Sequence, residues 1–224
     1  MPVQYIRWRL QTGESLSMKR SDSLEKLIWY GRMGFIPLIR GFLMCMSLAK
    51  CALPFFLGKN TKITYRSQIS LGKMVFIGDY FRINACSTEG IKIGNRVTLR
   101  EFGIIQCSSS PLNKGVGIEI GDHVYIGPRC NLGIGGKLRI GSKTLIGADF
   151  TAISENHIFD EHSISTKEVS RKGINVGEHC WIGHRVTILD GVSIGDNTII
   201  GAGSVVTKSF PAGSRIAGVP AKCL

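Results

Sequence analysis

An aliphatic residue recurs at every sixth position through the C-terminal part of the chain: Val176, Ile182, Ile188, Ile194, Ile200 and Val206. Glycine often follows at once, as in Val176-Gly177, Ile182-Gly183, Ile194-Gly195 and Ile200-Gly201, and four places after each aliphatic stand Cys180, Val186, Val192, Thr198 and Ser204. A period of six belongs neither to an amphipathic helix nor to a simple strand. It predicts a chain wound around three flat sides, each a short strand and a turn, with one aliphatic per side directed inward and glycine easing the corner. About eighteen residues then close one coil, stacked on the next at ~4.8 Å. The same register recurs upstream, with interruptions, at Ile77 and Ile83; Ile93, Leu99 and Ile105; Ile120, Ile126 and Leu132; Ile140 and Ile146. Residues 60–210 thus supply roughly seven coils and a column of roughly 35 Å.

Such a column buries each rung only against its neighbours, so its ends need covers. Ser21-Asp22-Ser23-Leu24-Glu25 offers a helix N-cap, and the apolar stretch after it, about 24–57, reads as helix divided or ended by Pro37 and Pro54. The chain is accordingly read as an N-terminal helical segment, 1–58, and a β-helical domain, 59–224. The segment has two candidate roles, a cap on the first coil and a contact with an anionic membrane surface. It does not read as a span, because its longest uncharged run, Gly41 to Ala49, is far short of the ~20 residues a spanning helix needs.

The net charge of +12 is placed unevenly: residues 1–74 hold twelve Lys and Arg against Glu14, Asp22 and Glu25. No nucleic-acid-binding module accompanies this basicity, so nucleic acid is not the expected partner. Seven scattered cysteines form no Cys-x-x-Cys pair, and Cys130 and Cys180 fall on small-residue positions of the repeat, as buried thiols of a reducing cytosol would. Arg7 and Arg9 lead into polar sequence up to Ser23, which is not a signal peptide. A cytoplasmic protein, peripheral on the inner face of the membrane if the segment touches lipid, is expected.

Three breaks interrupt the period: Ser87–Gly90, Gln106–Gly117 and Ser154–Gly173, the last holding His157 and His162. Long excursions from a rigid scaffold are where chemistry concentrates.

Three stretches in this order carry a resemblance: Ile153-Ser154-Glu155-Asn156-His157; Val176-Gly177-Glu178-His179-Cys180-Trp181-Ile182-Gly183; and Ile200-Gly201-Ala202-Gly203-Ser204-Val205-Val206-Thr207-Lys208 with Ala217-Gly218-Val219-Pro220-Ala221-Lys222. Over about 63–224 the sequence resembles the hexapeptide-repeat acyltransferases, closest to bacterial surface-polysaccharide, maltose and galactoside O-acetyltransferases. The resemblance implies a mainly β fold, a left-handed parallel β-helix, acting as a homotrimer. It makes His157 the base that deprotonates the acceptor hydroxyl or amine for attack on acetyl-CoA, a task suited to neutral imidazole. Glu155 and Asp160 are candidates to orient that imidazole, and Asn156 to position the loop or acceptor. It places coenzyme A between two columns, with Trp181 at the pantetheine, Gly183, His184, Gly201 and Ala202 along its amides, Thr207 and Lys208 toward the nucleotide, Pro220 beside the adenine and Lys222 near the phosphates. No metal is required by this chemistry, and the acceptor implied is a saccharide.

Other readings stay open: transfer to a xenobiotic or an amino sugar, a γ-type zinc carbonic anhydrase using His123, His157 and His162, and a non-catalytic scaffold. The anhydrase reading is weakened by register, since His157 and His162 lie in the longest break rather than inside the repeat. Asn84 resembles an acceptor-binding Asn of sugar acetyltransferases locally but lies 73 residues before His157, which favours a structural role.

Overall fold

The computed structural model describes residues 34–108, 110–159 and 164–224. The chain divides into two compact units, Met1–Ile36 and Pro37–Leu224. The second unit carries the column, whose three sides are parallel sheets. The first side stacks seven strands from Lys50–Cys51 to Ser193–Ile194, and the third seven from Lys62–Thr64 to Val205–Val206. The second side runs from Phe55–Leu57 to Arg215–Gly218 and ends on an antiparallel partner, Ala221–Cys223.

Pairing is in register, so equivalent positions stack. On the third side Ile63, Ile83, Ile105, Leu132, Ala152, Ile188 and Val206 form one continuous inward column, and all are buried. Each fully buried aliphatic contributes roughly 1.5–3 kcal/mol, which no isolated coil could collect. Two residues per side face inward rather than the single one expected: the small or branched position also points in, with Val186, Val192, Thr198 and Ser204 buried beside Ile188, Ile194, Ile200 and Val206. Buried hydroxyls at that position bond backwards to a carbonyl, as Thr198 Oγ1 does to Gly195 O at 2.7 Å and Ser204 Oγ to Gly201 O at 2.6 Å.

Glycine after the aliphatic serves a different purpose from the one expected. The residues that turn the corners with positive φ are mostly not glycines: Tyr80, Phe102, Arg129, Asp149 and Arg185 along one edge, and Met74, Arg96, His123, Lys143 and His179 along another. Gly183 is needed because a Cβ there would lie 2.6 Å from the Ala202 nitrogen of the next coil. The six-residue period therefore records coil-to-coil contact rather than backbone freedom.

Helix α1 (Ile36–Cys45) covers the first coil. Its Gly41 presses on Phe55, where a Cβ would run into the Phe55 carbonyl, and Arg40 Nη1 donates to Leu57 O at 3.1 Å. Within the described residues this helix packs on the first coil as the cap reading expects, and it ends at Cys45 rather than running on toward residue 57. Residues 50–57 are strand: Phe55-Phe56-Leu57 alternate inward and outward and pair with Val75-Phe76-Ile77, so the column begins before residue 59. The sulfurs of Cys45 and Cys51 are bonded, tying α1 to the first strand, a pair that the sequence did not reveal. Cys130 and Cys180 are buried free thiols as expected. The stretch 24–33 and the N-cap at Ser21–Ser23 lie outside the described residues.

Candidate active site

All three interruptions leave the column by the same edge. Each follows a strand of the third side, respectively Arg82–Asn84, Ile104–Gln106 and Thr151–Ile153, and each returns to the first side. The longest is a β-hairpin, Asn156–Phe159 against Ile164–Ser170, with His157 opposite Val169. The coil carrying the 106–117 loop and the one carrying the hairpin are separated by a single coil, whose strand is Asn131–Gly133. The two excursions therefore stand roughly 10 Å apart along the edge, close enough for one long side chain to join them.

Arg171 makes that join. Its Nε donates to Glu155 Oε2 at 2.6 Å, its Nη2 to Asn113 Oδ1 at 2.8 Å and its Nη1 to Lys114 O at 3.1 Å. The guanidinium fork serves three acceptors in three directions, a task a point-charge lysine could not perform. Behind it, Asp190 accepts from the Gly173 nitrogen at 2.7 Å, the Lys172 nitrogen at 3.0 Å and Ser170 Oγ at 3.1 Å, which fixes where the hairpin rejoins the column. The base of the 106–117 loop is held by Ser108, whose Oγ donates to Asn113 O at 2.7 Å, and by Asn84, whose Nδ2 donates to Ser108 O at 3.0 Å. That contact gives Asn84 the structural role expected of it.

Between the two excursions lies a pocket of about 340 Å³, lined by Gln106, Cys107, Ser108, Asn113, Gly133, Ile134, Gly135, Ile153, Glu155, His157 and Arg171. His157 and Glu155 thus share one cavity, with Glu155 lying over Gly135. The Glu155 carboxylate is occupied by Arg171. Burial pushes the Cys107 thiol up to about 12, so it contributes a neutral wall rather than a nucleophile. Asn156 is exposed and pairs through its backbone with Ser170. Asp160 and His162 lie outside the described residues. Arg171, Asn113 and Asp190 carry no motif in the sequence; the signal for Arg171 and Asn113 is their position within two interruptions that follow the same side of the repeat, while Asp190 stands in the regular repeat and has none.

The residues expected to hold the donor stand elsewhere. Trp181 points outward from the second side and is half exposed. It continues a row of outward residues, Phe76, Thr98, Tyr125, Leu145, Trp181 and Ile199, stacked coil on coil. Gly183 and His184 form the next corner, with Gly201 and Ala202 directly beneath in the following coil. The small size of Gly183 and Gly201 has a packing reason first, since a Cβ on either would crowd the coil below. His184 Nδ1 accepts from the Ala148 nitrogen at 3.2 Å, which ties that corner to the coil above. Thr207 and Lys208 are exposed just after the last strand of the third side, with Lys208 Nζ over the Phe210 ring. Pro220 and Lys222 are exposed on the closing hairpin.

In a triangular column, the edge between the third and first sides is opposite the second side. His157 stands on that edge and Trp181 on that side, with Trp181 on the coil that the hairpin leads into. One protomer cannot bring them together. His123, the remaining member of the considered zinc set, stands on the edge between the first and second sides, apart from His157. Among the described residues, no cluster of three or more His, Cys, Asp or Glu is arranged to hold a metal ion.

A three-sided parallel β-helix with its three insertions on one edge is a scaffold whose class is settled by comparison with known proteins. The family described as "Bacterial transferase hexapeptide (six repeats)" matches residues 173–208. The "Putative colanic acid biosynthesis acetyltransferase WcaF" of Escherichia coli K12 is 31% identical over 132 residues, covering 59% of this chain and 67% of that protein. The "Putative lipopolysaccharide biosynthesis O-acetyl transferase WbbJ" of the same organism is 27% identical over 204 residues, covering 87% of this chain and 89% of that one. Among solved structures, AntD, an N-acyltransferase from Bacillus cereus in complex with dTDP and 3-hydroxybutyryl-CoA, shares the fold with a TM-score of 0.58 at 16% identity, over 83% of this chain and 86% of that one. The chain belongs to the hexapeptide-repeat acyltransferase family. Its fold is accordingly the left-handed parallel β-helix, and it is an acetyltransferase.

Proposed function

We propose that this enzyme transfers an acetyl group from acetyl-CoA to a hydroxyl of a saccharide, a building block of a surface polysaccharide or lipid-linked oligosaccharide, with His157 as general base. The observation that carries the reading is the place of His157. It lies on the edge where every insertion emerges, in a pocket whose other walls present the amides of Gln106 and Asn113, the Ser108 hydroxyl and the Glu155–Arg171 pair. Such a lining offers donors and acceptors to a polyol. The names of WcaF and WbbJ, both tied to bacterial surface saccharides, support the acceptor class.

In the proposed step the acceptor O–H gives its proton to the His157 imidazole as its oxygen bonds to the thioester carbonyl carbon. The carbon–sulfur bond then breaks, the thiolate recovers the proton from the imidazolium, and a sugar ester and free CoA leave. Because Glu155 is committed to Arg171, its part in this scheme is to fix the hairpin rather than to carry a proton. Asn156, beside the base but outside the pocket lining, positions the loop or meets the acceptor in this scheme, and Asp160 is the remaining candidate to orient the imidazole.

The enzyme acts as a homotrimer in this scheme, with the apolar outward row of the second side against the insertion edge of the next protomer. Such packing unites the His157 of one chain with the Trp181, Gly183, His184, Gly201 and Ala202 surface of another. Thr207, Lys208, Pro220 and Lys222 take the nucleotide end of the donor, lysine serving as a point charge for phosphate. A donor made in the cytosol puts the reaction there.

The test is thiol release from acetyl-CoA against sugars, amino sugars, lipid-linked oligosaccharides and drug-like alcohols. His157→Ala keeps the fold but lowers kcat about 10²-fold or more with KM for acetyl-CoA little changed. Activity within a few-fold of wild type removes His157 from the mechanism. Preference for amine acceptors overturns O-transfer.

A further inference from the structure

Helix α1 is apolar on all sides except at Arg40, its sequence being IPLIRGFLMC. One face, with Pro37 and Gly41, is buried on the first coil. The opposite face repeats at helical spacing and is open: Ile39 is 45% exposed, Phe42 53%, Leu43 63% and, just past the helix, Met46 82%. A water-soluble cap would be polar on that face, and a helix apolar all round normally has an apolar partner on both faces. These residues lie together at one end of the column.

The charges around that end are predominantly basic, Asp79, whose Oδ1 accepts from the Lys59 nitrogen at 2.8 Å, being the one carboxylate between Lys50 and Asn84. No Asp or Glu occurs between Glu25 and Asp79, while the same interval holds eight Lys and Arg. Lys50 on the first side, Lys73 at the first corner, Lys59 at the second, Lys62 on the third side and Arg66 at its end are all exposed and encircle the opening coils. Beside the apolar stripe, a cleft of about 350 Å³ is lined by Arg40, Leu43 and Met44 on the helix and Asn60, Thr61 and Arg66 on the coil, two guanidinium groups next to hydrocarbon.

We propose that this end of the column is a docking surface for an anionic bilayer. The α1 face made by Ile39, Phe42, Leu43 and Met46 enters the headgroup boundary, and the ring of lysines and arginines meets the lipid phosphates. Charge selects this occupant over the others. A second copy of the same end would set two rims of net positive charge against each other, and residues 1–33 of this chain are themselves net basic. An anionic membrane supplies both the apolar medium and the opposite charge. Among the described residues no helix is long and apolar enough to cross a membrane, so the contact is interfacial. The inference is independent of the reaction catalysed.

The experiment is co-sedimentation of the full chain with vesicles of phosphatidylcholine alone or with about one-third phosphatidylglycerol, at low and high salt. Binding to the anionic vesicles that weakens as salt rises is expected, with little binding to the neutral ones. The triple substitution Phe42→Gln, Leu43→Gln, Met46→Gln, outside the catalytic pocket and built from good helix formers, lowers anionic-vesicle binding at least about tenfold while oligomeric state and thiol release stay as in wild type. Lys59→Glu with Lys62→Glu and Lys73→Glu gives a loss at least as large. Undiminished binding by the Gln variant overturns the proposal, and so does equal binding to both vesicles or none to either. Dissociation of the Gln variant into monomers overturns it too, by showing that the face is a subunit contact.

Discussion

Replacing Arg171 with alanine removes the bond between the two excursions without touching the column. Three hydrogen bonds disappear, to Glu155, Asn113 and Lys114. In a buried setting each charge-assisted bond is worth about 1.5–3 kcal/mol, but this pair is partly open, with side-chain exposures of 23% and 33%. Solvent screening therefore reduces the sum to about 1–2 kcal/mol of ordering free energy for the pocket. If that ordering is required at the transition state, kcat/KM for the acceptor falls by roughly 5- to 30-fold. The change is read by thiol release with acceptor varied at saturating acetyl-CoA, and then with acetyl-CoA varied. KM for acetyl-CoA changes little, because Arg171 is not among the residues proposed to hold the donor. Arg171→Lys does not restore activity, since one ammonium cannot serve three divergent acceptors. Glu155→Gln combined with Arg171→Ala costs less than the two single effects added, as expected of partners in one contact. A variant with kcat/KM for acceptor within twofold of wild type would refute the claim that Arg171 assembles the pocket.

Other outcomes are expected. Leu132→Ala, in the fully buried third-side column, destabilises by about 2–5 kcal/mol in urea unfolding followed by circular dichroism, and a loss below about 1 kcal/mol contradicts the stacking described. Lys208→Ala with Lys222→Ala raises KM for acetyl-CoA with a smaller change in kcat; unchanged KM rules out their phosphate role. Acid stability follows from carboxylates held below their ordinary range: Glu119 by Lys137, Asp122 by the Asn95 backbone N–H and Asp149 by Arg129. At acid pH the unfolded chain binds more protons than the folded one, so their contribution is complete above about pH 5 and fades as pH falls below it. Melting temperature followed from pH 7 to 3 declines at the acid end, and a flat profile contradicts these carboxylate contacts. Cys86, Cys107, Cys130 and Cys180, all buried, resist an aromatic disulfide reagent in the native protein while exposed Cys223 reacts; rapid labelling of the four would show a looser core.

The column was legible because its repeat records a hard constraint. A glycine such as Gly183 that must clear the coil below it, and an aliphatic such as Ile182 that must meet its own kind, leave the same mark every six residues. The second inward residue is legible at Cys180, which reads as a buried thiol, but not at Thr198 and Ser204, because hydroxyls are also common at the surface. The helix was overextended through Phe55–Leu57 because a short apolar run carries no period of its own. His157 and its hairpin stood out as the longest break, whereas Arg171 did not. Its partners Asn113 and Lys114 are distant in sequence and meet it only because both interruptions leave by one edge.

The division of the site between protomers is tested most directly by mixing His157→Ala and Trp181→Ala chains, each expected to lose most thiol release alone, unfolded together and refolded at equal ratio. If each site takes its imidazole from one protomer and its Trp181 surface from the next, random assembly restores about a quarter of wild-type thiol release. Activity no higher than that of the two variants refolded separately would show that His157 and Trp181 do not meet across a shared interface.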